Sequence, residues 1–253
     1  MLKQLREYIE DLGSYTQMLL SVFKDIVSKG VNFEELSKQI YRIGLSSLPI
    51  VALTALFSGM VLALQTAYGM ERFGAKIYTG NVVGLGLVRE LGPVLTAVML
   101  SGRVGAGIAA EIAAMTVSEQ VDAMRALGAN PIRKLVSPRV LAAIIVLPAL
   151  VVFADLIGIY GGALVTAYEL NISPYTYYRS LMYTIFIRDV IDGLVKSSIF
   201  GFLMVSISCF KGLHARGGTE GVGLTTTSAV VTASIVIFIS NFFITKLLLI
   251  IKT

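Results

Sequence analysis

The sequence predicts an all-α membrane protein, with an N-terminal interfacial amphipathic helix, five transmembrane helices, and a short cytoplasmic helix between the second and third spans. Three observations carry this. Of 253 residues, 55% are hydrophobic and only 15% charged, with a mean hydropathy of +0.79, whereas soluble domains carry about 25% charged residues. Five stretches are apolar over the roughly 20 residues that a helix needs to cross a bilayer. The basic residues outside these stretches alternate between rich and poor segments, as the loops of a multi-pass protein do.

Residues 1–44 read as one or two amphipathic helices, with Leu2, Leu5, Ile9 and Leu12 along one face and Phe33, Leu36 and Ile40 along another. Apolar stripes flanked by mixed charge belong on a membrane surface. Lys3, Arg6, Glu7, Glu10, Asp11, Lys24 and Asp25 leave no apolar core for a signal peptide, so insertion is expected to rely on the internal segments. Those segments, within a transmembrane domain at 45–253, fall at about 46–70, 85–115, 136–168, 187–210 and 228–250. The second and third exceed what a bilayer needs: about 30 residues reach ~45 Å, so they must tilt, break or project. Gly92-Pro93 and Pro148 are the expected kinks.

Lys3, Arg6, Lys24, Lys29, Lys38 and Arg42 precede the first span. Arg125, Arg133, Lys134 and Arg139 follow the second, and Lys211 and Arg216 follow the fourth. Five spans put these regions on one side, and cytoplasmic loops retain Lys and Arg, so the N-terminus is expected in the cytoplasm. The opposite loops, around 71–84 and 169–186, are poorer in Lys and Arg. The second of them carries Tyr175, Tyr177, Tyr178 and Tyr183, which reads as an interfacial aromatic belt.

Small residues recur at four-residue spacing. Ser101, Gly105, Ala109 and Ala113 form one row and Gly102, Ala106, Ala110 and Ala114 another, while Gly158 and Gly162 make a GxxxG pair. Such rows let helix backbones approach closely, within the bundle or across a homodimer seam. Between spans two and three, TVSEQVDAMRALGANPIRKLVSPR reads as a projecting helix over about 118–128. Thr116 and Glu119 fit a capping box, Val121, Met124 and Leu127 share a face, and Gly128 then Pro131 supply the stop. It either lies on the bundle or serves as a lever gripped by a soluble partner.

Enzymatic readings find no support. No G-x-x-x-x-G-K-[ST] occurs, GLGLVRELG lacks the third glycine of a dinucleotide fingerprint, and no HExxH or GxSxG is present. One cysteine, Cys209, cannot form an intramolecular disulfide, and one histidine, His214, gives no metal cluster; a buried thiol and a loop imidazole are expected. The informative charges lie inside Leu87–Ala114, where Arg89, Glu90, Arg103 and Glu111 interrupt an apolar run. A charge at the bilayer centre costs about 2.5–3.5 kcal/mol, so these side chains must face protein, water or a polar ligand. Adjacent helical residues point about 100° apart, so Arg89 and Glu90 each require a separate partner. One alternative is an ion- or proton-coupled transporter titrating Glu90, Glu111 and Asp155, although no inverted repeat supports it. Another is a structural membrane anchor for a soluble complex.

RELGP, GRVGAGIAAEI and the turn at Asn130-Pro131, continuing through LPALVVFADLIGIYGGALV, resemble the MlaE (YrbE) permease family, the membrane subunit of an ABC-type phospholipid transporter. The resemblance extends from FSGMVLALQ to the last span. It implies a homodimeric permease whose coupling residues Glu119, Val121, Asp122, Met124, Arg125, Leu127 and Gly128 contact a cytoplasmic ATPase. It further implies a periplasmic MCE-domain lipid-binding protein and a STAS-domain protein as partners, an inner-membrane location, and a part in outer-membrane lipid asymmetry. No cofactor is expected on this chain, ATP being used by the partner. The implied lipid-binding residues are Leu62, Gln65, Met70, Phe73, Arg89, Glu90 and Lys196, with Arg89 and Lys196 as phosphate partners, unless their charges only order the bundle. Arg103 and Glu111 are open between function and packing. Several members of the family have Asp where this chain has Asn130 and Asn241, which puts in doubt any role for charge at 241.

Overall fold

The computed structural model describes the backbone of residues 2–30 and 32–252 and the side chains of residues 9–28, 30 and 32–251. Among the described residues every regular element is helical. The α-helices are α1 (Leu2–Lys29), α2 (Phe33–Ile43), α3 (Leu48–Glu71), α4 (Thr79–Gly86), α5 (Gly92–Leu100), α6 (Ala106–Val117), α7 (Gln120–Ala126), α8 (Ser137–Tyr168), α9 (Pro174–Thr184), α10 (Ile187–Leu213) and α11 (Gly218–Lys252). Five helical stretches are long and apolar enough to cross a membrane: Phe33–Glu71, Lys76–Val117, Ile132–Tyr168, Ile187–Leu213 and Gly218–Ile251. The chain is an all-α, multi-pass membrane protein.

The long second stretch is broken where its sequence is least helical. α4 passes through a π-helical turn at Leu87–Leu91 into α5, and a second π turn at Ser101–Gly105 leads into α6. The third stretch opens with a π turn at Ile132–Val136, and Pro148 is accommodated within α8. The fifth helix begins ten residues ahead of the expected 228. Its glycine-rich start, which reads as a loop, is helical because Gly221 has no Cβ to strike the Arg216 carbonyl. Thr226 and Thr227 then return their hydroxyls to the carbonyls of Val222 and Gly223.

The chain forms two compact units. The first comprises Met1–Tyr41, Ser101–Ala143 and Phe202–Val236. All three basic stretches assigned by charge to one side of the membrane fall mainly here. α1 docks by Tyr15, Met18 and Val22: the Tyr15 hydroxyl is 2.8 Å from Ser206 Oγ and its ring stands edge-on to Phe210. Ile9 and Leu12 remain exposed on α1, and the side chains of Leu2 and Leu5 lie outside the described residues. The row Ser101, Gly105, Ala109 and Ala113 is buried; Ser101 hydrogen-bonds Ser234 at 3.0 Å, and Gly212 packs on the Ala109 carbonyl. Cys209 is buried, and His214 Nδ1 contacts the Phe210 carbonyl at 2.8 Å.

The second unit comprises Arg42–Leu100, Ile144–Gly201 and Ile237–Thr253, and holds the two loops of the opposite side. Its core unites Ala63, Val83, Leu87, Ala163, Tyr177 and Leu181. Tyr177 therefore departs from the expected aromatic belt: it is buried, and its hydroxyl donates to the Ile159 carbonyl at 3.3 Å. Burial raises the phenol's pKa above its ordinary value. The GxxxG pair serves close packing inside this unit, since a Cβ at Gly59 would collide with the Gly158 backbone and one at Gly162 with the Tyr177 hydroxyl.

Candidate functional site

A groove of about 440 Å³ opens in the second unit between the start of the second span and the helices α10 and α11. Val82, Leu85, Leu248 and Leu249 give it apolar walls, while Arg89, Glu90, Asp192, Lys196 and Thr245 supply polar groups. The π turn at Leu87–Leu91 carries Arg89 and Glu90, and their side chains take separate partners. Arg89 binds Asp189 through Nε at 2.9 Å and Nη2 at 2.7 Å. Asp189 is only 2% exposed, and its other oxygen accepts the Phe186 N–H at 3.0 Å, tying the arginine to the start of α10.

Glu90 meets Lys196, whose Nζ lies 2.6 Å from Glu90 Oε1. Two residues of α11, one turn apart, complete this contact: Thr245 Oγ1 donates to Glu90 Oε1 at 3.1 Å, and Asn241 Nδ2 donates to Oε2 at 3.1 Å. Lys196 is 2% exposed and also donates to Thr245 Oγ1 at 2.8 Å and to the Arg89 carbonyl at 2.9 Å. Its three N–H donors are thus all used within the protein. Arg89 carries five donors, spends two on Asp189, and keeps a half-exposed guanidinium on the groove.

The other expected lipid contacts lie elsewhere in the same unit. Leu62 packs against the Ala63–Leu181 core, Gln65 is exposed, Met70 is half-buried near the end of α3, and Phe73 is 84% exposed in the turn that follows. Among the described residues the groove takes its lining from other positions. Sequence reasoning missed Asp189, Asp192, Asn241 and Thr245 as members of the cluster. Asn241 and Thr245 stand four apart on the last span, the spacing that puts polar groups on one face, and were legible in that sense. Asp155 sits against Gly92, with Oδ1 buried and without a hydrogen-bond partner; a Cβ at position 92 would lie 2.0 Å from that oxygen.

In the first unit, Glu111 pairs with the buried Arg139 at 2.8 Å, while Arg103 is exposed on its π turn. The expected projecting helix is α7, Gln120–Ala126, and its start is not a capping box. Thr116 lies inside α6 and turns its hydroxyl to the Ile112 carbonyl, while Glu119 is itself the N-cap, at φ +60° with no side-chain cap bond. Ser118 is the C-cap of α6, its hydroxyl donating back to the Ala114 carbonyl. The far end follows the expected stop: Gly128 adopts φ +78°, with Gly128 N–H to the Arg125 carbonyl and Ala129 N–H to that of Met124, a Schellman closure. Val121 is buried, Met124 half-buried, and Leu127 86% exposed, so the apolar face runs from the core outward. Asp122 and Arg125 pair at 2.9 Å on the open side. Asn130 Oδ1 accepts the Ile132 N–H at 2.9 Å, a bond that Asp would make equally.

Five helices able to span a membrane, a half-polar groove in the second unit and a short helix ending on the exposed Leu127 fit a membrane transporter subunit. Residues 36–247 match the family Permease MlaE, and the chain belongs to that family. It is 46% identical over 245 residues to a probable ABC transporter permease protein of Rickettsia felis, covering 97% of this chain and 95% of that one. A probable ABC transporter permease protein of Synechocystis is 41% identical, over 90% and 86% of the two chains. The chloroplastic protein trigalactosyldiacylglycerol 1 of Arabidopsis thaliana is 36% identical, over 86% of this chain and 62% of its own. The chain is a permease subunit of an ABC transporter, a class that works with an ATPase partner.

Proposed function

We propose that the cargo is phospholipid, moved between the inner membrane and the periplasm or outer membrane in support of outer-membrane lipid asymmetry. The observation that carries this is the groove, where apolar walls from Val82, Leu85, Leu248 and Leu249 run up to the guanidinium of Arg89. Acyl chains match the walls, and a phosphate matches the arginine's fork of donors. The name of the plant relative, which contains that of a glycolipid, supports lipid as the class of cargo.

In this reading two copies of the chain form the transporter and the N-terminus is cytoplasmic. A separate ATPase, which alone uses ATP, grips α7 and its two ends by Glu119, Asp122, Met124, Arg125, Leu127 and Gly128, while Val121 of the expected coupling set is buried in the chain's own core and anchors the helix instead. Closure of the ATPase pushes α7, and the groove alternates between a wide and a collapsed form. An MCE-domain protein receives or delivers lipid on the outer side, and a STAS-domain protein binds the ATPase. The test is mass spectrometry of lipid retained by the protein purified in mild detergent. Phospholipid retained by the native chain and reduced at least about tenfold in Arg89→Glu supports the proposal, tenfold being the loss of about 1.4 kcal/mol. Equal retention in both overturns it.

A further inference from the structure

We infer that Asp192 selects for a headgroup bearing an ammonium, so that the groove takes phosphatidylethanolamine in preference to phosphatidylglycerol. The inference rests on the lipid reading of the groove and starts from the spacing on α10. Asp189, Asp192 and Lys196 stand at i, i+3 and i+7, which puts them on one face of that helix. At 1.5 Å per residue, Asp192 lies about 4.5 Å along the helix from Asp189 and about 6 Å from Lys196. Asp189 holds Arg89, and Lys196 holds Glu90. Asp192 is thus half-buried on the groove, at a level of α10 between the two ion pairs.

Two cations therefore face three carboxylates. Arg89 and Lys196 are matched one to one by Asp189 and Glu90, and the groove's lining brings in no third Lys or Arg. Arg188, one turn before Asp192, and Lys246, beside Thr245 in sequence, are exposed and outside that lining. The groove carries one formal negative charge in excess, a number that a hydrogen bond to Asp192 leaves unchanged. An anionic headgroup brings its phosphate to the Arg89 donors but raises the excess to two, beside apolar walls that strengthen charge interactions. A zwitterionic headgroup adds nothing to it. Specificity then arises as much from the repulsion of the wrong headgroup as from the attraction of the right one.

The placement of donors and acceptors favours the same headgroup. Lys196 spends its three donors inside the protein, which leaves the phosphate to Arg89. Asp189 gives one oxygen to Arg89 and the other to the Phe186 N–H, and both Glu90 oxygens accept from side chains. An ammonium carried on two carbons from that phosphate extends about one helical turn along α10, to the level of Asp192. There it makes a charge-assisted hydrogen bond to the carboxylate. Phosphatidylglycerol presents hydroxyls at the same place, which donate to a carboxylate without offsetting its charge.

The full chain in mild detergent is equilibrated with equal amounts of phosphatidylethanolamine, phosphatidylcholine and phosphatidylglycerol of identical acyl chains. Retained lipids are then compared by mass spectrometry for the native chain, Asp192→Asn, Asp192→Glu and Arg89→Glu. The native chain is expected to retain at least about tenfold more phosphatidylethanolamine than phosphatidylglycerol, in line with one hydrogen bond between charged groups. Phosphatidylcholine, zwitterionic but without an N–H, should fall between them. Asp192→Asn should bring the ratio close to one, and Asp192→Glu should restore most of the preference. Partial unfolding lowers all three lipids together and does not imitate a change of ratio. A native ratio of one or below overturns the inference without recourse to any variant, and so does a native preference that Asp192→Asn leaves in place. Retention unchanged by Arg89→Glu removes the lipid reading and the inference with it. Retention lost in Arg89→Glu, with no headgroup preference in the native chain, removes the inference alone.

Discussion

Lys196 illustrates how a full charge is kept in apolar surroundings, with every donor matched and the counter-charge of Glu90 itself held by Asn241 and Thr245. Removing one member of such a set leaves the other exposed to the low dielectric. Lys196→Met is expected to cost about 2 kcal/mol, below the usual 3–5 for a buried pair because Glu90 is more than a third exposed to the groove. Glu90→Gln added to Lys196→Met should recover most of the loss, which thermal unfolding of both variants would show. A further loss in the double variant would contradict the pairing. Asn241 fits the same logic. Its amide donates to Glu90 Oε2, a bond that an ionised aspartate in its place could not make, so the role of this position is to donate rather than to carry charge. Asn241→Leu is therefore expected to cost about 1–3 kcal/mol by leaving an acceptor unmet.

The helices approach closely only where glycine allows it, and the cost of a methyl group should depend on which glycine receives it. At Gly59 a Cβ would lie 1.9 Å from the Gly158 carbonyl oxygen, and at Gly193 it would lie 2.4 Å from that of Val88. Alanine at either position should destabilise by about 1–3 kcal/mol, the range for overpacking. At Gly102 nothing lies within 4 Å, and alanine should be neutral or stabilise by up to about 1 kcal/mol. Thermal midpoints of the three variants test the contrast. The sequence showed that small residues recur at the right spacing, but not which row is used. The row from Ser101 to Ala113 is buried, whereas Gly102 and Ala114 of the parallel row are exposed, and that choice depends on partners distant in the chain. The π turns were legible only as the kink expected at Gly92-Pro93. The capping box failed because α6 runs on to Val117, which places Thr116 inside that helix and leaves Glu119 as the N-cap of α7.

For the molecule as a whole, the five spans, the N-terminal amphipathic helices and the projecting helix could be read from hydropathy and charge, because the bilayer forces backbone bonds to be local. The cluster around Arg89 could be read only in part. Its charges stood out against an apolar run, while Asp189, Asn241 and Thr245 joined them through contacts about 100 or more residues apart. The outward face of α7 gives a prediction at this scale: Leu127→Arg should abolish co-purification of the ATPase without moving the thermal midpoint, since Leu127 is exposed. Loss of both together would instead make α7 part of the core. The central claim, ATP-driven phospholipid movement through the groove, is tested most directly by reconstituting the co-purified complex in liposomes and following transfer of labelled phospholipid. The account predicts transfer that requires ATP and is lost in Arg89→Glu while ATP hydrolysis persists. Hydrolysis by the native complex with no phospholipid transfer, or transfer unchanged by Arg89→Glu, would contradict it.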